Sequence, residues 1–168
     1  MAAAPLNMEL LVNKYSTMVL RQAFFYLKDR SAAEDAAQEV FLRIFRRQPV
    51  LEDENSEKAY LLRVTINVCK DVLKSAWYRK TIAIPEGFNP ASPELSPDAQ
   101  AVQGDENAAL FRAVLALPPI YKDVVLLFYY HDLSTANIAK VLHVPEVTVR
   151  TRLMRARQKL GDKLKGRV

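Results

Sequence analysis

Apart from one interior stretch, apolar residues in this chain return every three or four positions, and no alternating run with a hairpin dipeptide interrupts them. That spacing gives a helix a continuous buried stripe, so the pattern predicts an all-α fold. Asn7 can cap a first helix reaching about Leu27, marked along its length by Leu11, Tyr15, Met18, Gln22 and Phe25. Ser31 and Glu34 have the spacing of a capping box, which predicts a second helix from Ala32 to about Arg47. Its buried stripe would be Ala33, Ala37, Val40, Phe41, Ile44 and Phe45, leaving Asp35, Gln38, Glu39, Leu42 and Arg46 on the opposite face. A third helix, about Glu57 to Tyr78, carries a core stripe of Leu62, Ile66, Cys69, Leu73 and Ala76. Further on, Ala108 to Ala116 reads as a short helix broken by Leu117-Pro118-Pro119, and Ile120 to Tyr130 as the next. Ser134 can cap a helix through about Leu142, and beyond the turn His143-Val144-Pro145 a last helix runs from Glu146 to about Gly161.

The interior stretch differs in kind. Thr81 to Ala108 contains Pro85, Pro90, Pro93 and Pro97 with Gly87, Ser92 and Ser96, and it holds five acids and no base. It reads as a flexible, acidic, proline-rich linker at residues 81–104, joining two small helical domains at 1–80 and 105–168. The overall charge of +5 hides the division, because residues 1–80 hold 13 basic and 10 acidic groups and residues 109–168 hold 11 and four. In 168 residues, two such domains have thin cores, which suits binding surfaces better than enzyme clefts. A single cysteine, Cys69, and two histidines exclude an internal disulfide and leave too few ligands for a usual structural zinc site, so no metal or cofactor is expected. Cys69 itself falls on the core stripe and reads as an inert buried thiol. The longest apolar run, Val124 to Tyr130, is far short of the roughly 20 residues that span a bilayer. Met1 to Val12 lacks the basic start of a secretory leader, and the expectation is a cytoplasmic protein without membrane insertion.

Two patterns carry candidate chemistry. On the third helix, Arg63, Asn67, Lys70 and Lys74 repeat at helical spacing, with Tyr60, Trp77 and Tyr78 at the ends of the strip. Cations take phosphate, an amide reads a base edge and rings stack on bases, so the strip suits a nucleic-acid strand. The C-terminal pair of helices joined by a three-residue turn, the second strongly basic, makes a helix-turn-helix. Its second helix would bury Val149, Leu153, Ala156 and Leu160 and present Arg150, Thr151, Met154, Arg155 and Gln158. Arginine pairs with guanine, threonine bonds a base or phosphate, and methionine covers a thymine methyl, while Arg152 and Arg157, nearer the edges, suit phosphate.

These residues resemble a family, the extracytoplasmic-function sigma factors of bacteria, which are promoter-recognition subunits of RNA polymerase. The resemblance rests on three blocks in order. Glu34 to Phe41 looks like the region 2.1 to 2.2 signature, and Tyr60 to Asn67 with Asp71 looks like the region 2.3 to 2.4 helix. Leu117-Pro118-Pro119 with Ile138-Ala139 and the run Thr148 to Arg157 looks like region 4. The resemblance implies a region 2 bundle at 1–80 and a region 4 helix-turn-helix at 105–168. It further implies core RNA polymerase as partner, through the β′ clamp helices and the β flap, together with promoter DNA and, as a further class of partner, an anti-sigma factor. Asp35, Gln38, Glu39, Leu42 and Arg46 would bind polymerase. Tyr60, Arg63, Asn67, Lys70, Asp71 and Lys74 would serve the minus-ten element, Asn67 helping to capture a flipped base. Thr148, Arg150, Thr151, Arg152, Met154, Arg155 and Arg157 would read or hold the minus-thirty-five element. Three positions depart from the pattern: Tyr60 stands where tryptophan is common, Asn137 where glutamate is usual, and Val147 where glycine is common.

No Gly-x-x-x-x-Gly-Lys phosphate loop is present, so strand opening would be driven by binding rather than by ATP. No nucleophile with a nearby base stands out, and the chain is not expected to be an enzyme. The competing expectation is a two-domain helix-turn-helix regulator that binds an operator without polymerase.

Overall fold

The computed structural model describes residues 6–82 and 105–165, with side chains from 6–75 and 108–163. Among these residues every regular element is helical. Contacts divide the chain into two units, one within Met1–Leu95 and one within Ser96–Val168. The expected linker loses its first two residues to the third helix, which continues to Ile82, and the rest of that stretch lies outside the described residues.

The first unit is built from α1 (Met8–Leu27), α2 (Arg30–Arg47) and α3 (Glu54–Ile82), each packed against the other two. Asn7 caps α1 as expected, its side chain accepting from the Leu10 amide at 3.2 Å. α2 starts earlier than the capping box predicts. Asp29 is the cap, accepting from the Ala32 amide at 3.0 Å, while Ser31 is an exposed residue inside the helix and Glu34 pairs with Arg30 at 3.2 Å. A carboxylate two residues ahead of Ser31 caps the first amides and also favours the positive end of the helix dipole, so it wins the start.

The buried stripe of α2 is Ala33, Ala36, Val40 and Ile44. The expected Ala37 and Phe41 are half-buried, and Phe45 is 60% exposed. Ala36 and Ala37 are equally apolar, so the pattern leaves the helix free to be read one residue, about 100°, out of register. α3 begins three residues before its expected start, where the Asp53 carboxylate accepts from the Ser56 amide at 2.7 Å. It lies between its neighbours: Leu61, Leu62, Val64, Thr65, Ile66, Val68 and Cys69 are buried, leaving Asn67 as the exposed residue of that run. Each fully buried leucine or isoleucine here contributes on the order of 2 kcal/mol. Leu73, expected in the core, is 42% exposed; Ala76 lies outside the described side chains. At the opposite end Tyr15 donates to Glu57 at 2.8 Å and Lys14 pairs with Glu54 at 2.5 Å, fastening α1 to α3.

The second unit comprises α4 (Asp105–Leu115), α5 (Pro119–Val125), a π-helical turn at Leu126–Tyr130, α6 (Thr135–Leu142) and α7 (Glu146–Lys165). α4 begins earlier than the expected Ala108. The predicted continuous helix from Ile120 to Tyr130 instead changes winding at Leu126, where the His131 amide donates to the Leu126 carbonyl at 3.0 Å. The core gathers Val124, Val125, Leu126 and Leu127 with Leu133, Ile138 and Val141, and α7 adds Val149, Leu153 and Ala156. Ser134 caps α6, accepting from the Asn137 amide at 3.1 Å. Among the described residues, four that are not glycine adopt left-handed φ: Lys28, Gln48 and His143, which close α1, α2 and α6, and Asp132 just beyond the π turn.

Candidate nucleic-acid interface

The turn between α6 and α7 is set by backbone bonds. His143 takes a φ of 56°, its neighbour Val144 donates back to the Ala139 carbonyl at 3.1 Å, and Pro145 cannot continue the helix. The Pro145 carbonyl then accepts from the Thr148 amide at 3.0 Å and opens α7. A side-chain clasp fixes the angle of entry, since the Thr135 hydroxyl donates to Glu146 at 2.7 Å across the two helices. Glu146 is held below the usual carboxylate range, chiefly by that hydroxyl and further by the Arg150 charge.

With Val149, Leu153 and Ala156 turned inward, α7 presents Arg150, Met154, Arg155 and Gln158 to solvent, and Thr151 and Arg152 are half-buried. The expected reading face is therefore assembled, with two qualifications of geometry. Arg150 is tied to Glu146 at 2.9 Å, and Thr151 spends its hydroxyl proton on the Val147 carbonyl at 3.0 Å. Thr148 is half-buried at the helix start. Arg157 is exposed but engaged: its Nε donates to the Tyr129 hydroxyl at 2.6 Å, and its guanidinium lies 5.5 Å from the Tyr129 ring centre. Sequence patterning missed Tyr129, because an aromatic residue in an apolar run reads as core; here it is 52% exposed.

On α3 the expected strip is brought onto one face. Asn67, Lys70 and Lys74 are exposed, and Arg63 and Tyr60 are half-buried at its N-terminal end. Trp77 and Tyr78 lie outside the described side chains. Asp71 is not an independent member of the strip: Arg43 of α2 bonds it at 3.3 Å while also holding Glu39 at 3.1 Å. One arginine thus joins an acid of the α2 face to an acid of the α3 strip, and it was not among the expected site residues. On α2 itself Asp35, Gln38, Leu42 and Arg46 are exposed and Glu39 is half-buried. Phe45, three residues beyond Leu42, adds an exposed ring beside that leucine.

As a class, this is an all-α protein built from a helical bundle with a cationic strip and a separate helix-turn-helix unit. The model of sigma-70 region 2 matches residues 11–79, and that of sigma-70 region 4 matches residues 107–160. The factor SigL of Mycobacterium tuberculosis, named an ECF RNA polymerase sigma factor, is 30% identical over 158 residues, covering 90% of this chain and 85% of its own length. BldN of Streptomyces coelicolor, named likewise, is 30% identical over 147 residues, 87% of this chain and 56% of its own length. A co-crystal structure of the sigma factor RpoE with the anti-sigma factor NepR from Bartonella quintana shares the fold, with a TM-score of 0.76 at 18% identity over 94% of this chain and 96% of that one. The chain belongs to the extracytoplasmic-function group of sigma-70-like factors. It spans between 35% and 60% of the length of three of the curated relatives it matches. Among the described residues, no helix is long and apolar enough to cross a membrane.

Proposed function

We propose that this chain binds core RNA polymerase and directs it to promoters, acting in the bacterial cytoplasm and carrying out no catalysis of its own. The observation that carries the reading is α7, which buries Val149, Leu153 and Ala156, with the expected Leu160 half-buried, while Arg150, Met154 and Arg155 stand in solvent beside a turn of helix-turn-helix geometry. In this reading Arg150, Thr151, Met154 and Arg155 read the minus-thirty-five element, with Thr148, Arg152 and Arg157 on its backbone. The residue 1–80 domain holds the minus-ten strand on Tyr60, Arg63, Asn67, Lys70 and Lys74. Asp71 supports that strip through Arg43. The α2 face of Asp35, Gln38, Glu39, Leu42 and Arg46, with Phe45 added, docks on the β′ clamp helices, and the 105–168 domain meets the β flap. RpoE is held by an anti-sigma factor in its own complex, and the same class of partner is proposed here, covering the exposed α2 face.

The energetics require polymerase. Opening costs about 1.4 kcal/mol of stacking per base-pair step, and a base captured on an aromatic surface returns about 1 to 3 kcal/mol. One or two captured bases do not offset a bubble, so the free chain melts promoter DNA poorly and the assembled enzyme melts it well. Run-off transcription from a library of promoter fragments, with purified core polymerase, tests the proposal. Discrete transcripts that need both proteins are expected. Tight duplex binding by the chain alone, without transcripts at any fragment, would instead identify a regulator that works without polymerase.

A further inference from the structure

Arg157 lies seven residues, about two turns, after Arg150 and so shares its side of α7. It is turned onto the π turn at Leu126–Tyr130, where Nε donates to the Tyr129 hydroxyl at 2.6 Å and the guanidinium packs 5.5 Å from the Tyr129 ring centre and 5.9 Å from that of Phe128. The two rings are themselves edge to face, 4.9 Å apart, which fixes the platform. Two consequences follow from the donor inventory. With Nε committed to the phenol, the two terminal NH2 groups of Arg157 remain as a fork. With its oxygen accepting from Nε, the Tyr129 hydroxyl retains its own proton to donate. Among the described residues no carboxylate pairs with Arg157, in contrast to Arg150 on Glu146 and Arg43 on Glu39. Arg157 also lines an open depression of about 560 Å³ together with Gln158, Gly161 and Asp162 of the same helix.

We propose that Tyr129 and Arg157 form a clamp for one backbone phosphate of the bound duplex, flanking the bases read by Arg150 and Met154. A fork of guanidinium donors matches phosphate oxygens, and the phenol both aims the fork and adds a third donor. Tyr129 is thus a DNA-contacting residue on a different element from the reading helix. The inference rests on α7 being the DNA-reading helix.

The test uses the chain assembled with core RNA polymerase and a duplex recovered by that assembly from a random-sequence library. Single uncharged methylphosphonate linkages are walked through the recovered site. Wild type is expected to lose affinity severalfold at one linkage that Tyr129→Phe and Arg157→Lys no longer sense, both variants having already lost a similar factor on the unmodified duplex. Arg157→Gln is expected to lower the slope of log affinity against log salt by about 0.9, and Tyr129→Phe to leave it unchanged, because only the first removes a charge. A merely structural tie would move the thermal midpoint of Tyr129→Phe without moving the linkage pattern. If every linkage penalty is as large in Tyr129→Phe as in wild type, the clamp is wrong while the reading helix stands. If wild type recovers no duplex at all, the promoter-reading function fails and the clamp with it.

Discussion

Asp123 is 3% exposed in the core of the second unit, and burial pushes its carboxyl up to about 7 against the opposing pull of the Arg152 charge. A carboxyl raised in the folded state stabilises the fold fully only below its unfolded value. That contribution is lost as pH rises from about 4 through about 7. Roughly three pK units at about 1.4 kcal/mol each set an upper bound of about 4 kcal/mol. Asp123→Asn should therefore flatten the loss of stability between pH 5 and pH 8, as measured by urea unfolding at both values. An unchanged pH slope in the variant would assign the dependence to another group. At this scale the sequence was legible where one side chain has one job: Asn7 and Ser134 cap as expected. It was misleading where two residues compete to cap one helix, as Asp29 and Ser31 do. Phe45 and Tyr129 were missed for a common reason, that an aromatic ring among apolar neighbours scores as core whichever way the backbone turns it.

For whole helices, periodicity located α1, α2, α3, α6 and α7 and failed mainly in rotation and at ends. The alanine pair in α2 left its facing undetermined by one position. The π turn at Leu126–Tyr130 was invisible, because an unbroken apolar run has no period from which to detect a change in winding. The helix caps give a direct check: Ser134→Ala should cost about 1 kcal/mol of stability in chemical denaturation, by leaving the Asn137 amide without its acceptor. The α2 face gives another. Asp35 is exposed and forms no ion pair among the described residues, whereas Glu39 is held by Arg43. Charge reversal at Asp35 should weaken polymerase binding, measured by native gel shift of the assembled enzyme, without touching an internal bond. Reversal at Glu39 should weaken binding and also break its pairing with Arg43, so its effect should be partly reproduced by Arg43→Ala.

Across the molecule the division into two units was legible from charge and proline content alone, while how each unit's residues share work was not. Arg43 links Glu39 and Asp71 across two helices, a relation that neither helix reveals when read singly. The acidic stretch between the units calls for its own experiment: replacing Glu86, Glu94 and Asp98 by glutamine should lower run-off transcription if those charges seat the chain in a cationic polymerase channel. Equal transcript yield would reduce them to a solubility device. Durability can be examined unit by unit, because Lys28 and His143 each end a helix in a twist that any side chain resists. A residue lacking a side chain there would relax about 1 kcal/mol in either half. Only one of Lys28→Gly and His143→Gly should then raise the temperature at which heated samples stop initiating RNA, and the one that does so marks the half that gives way first.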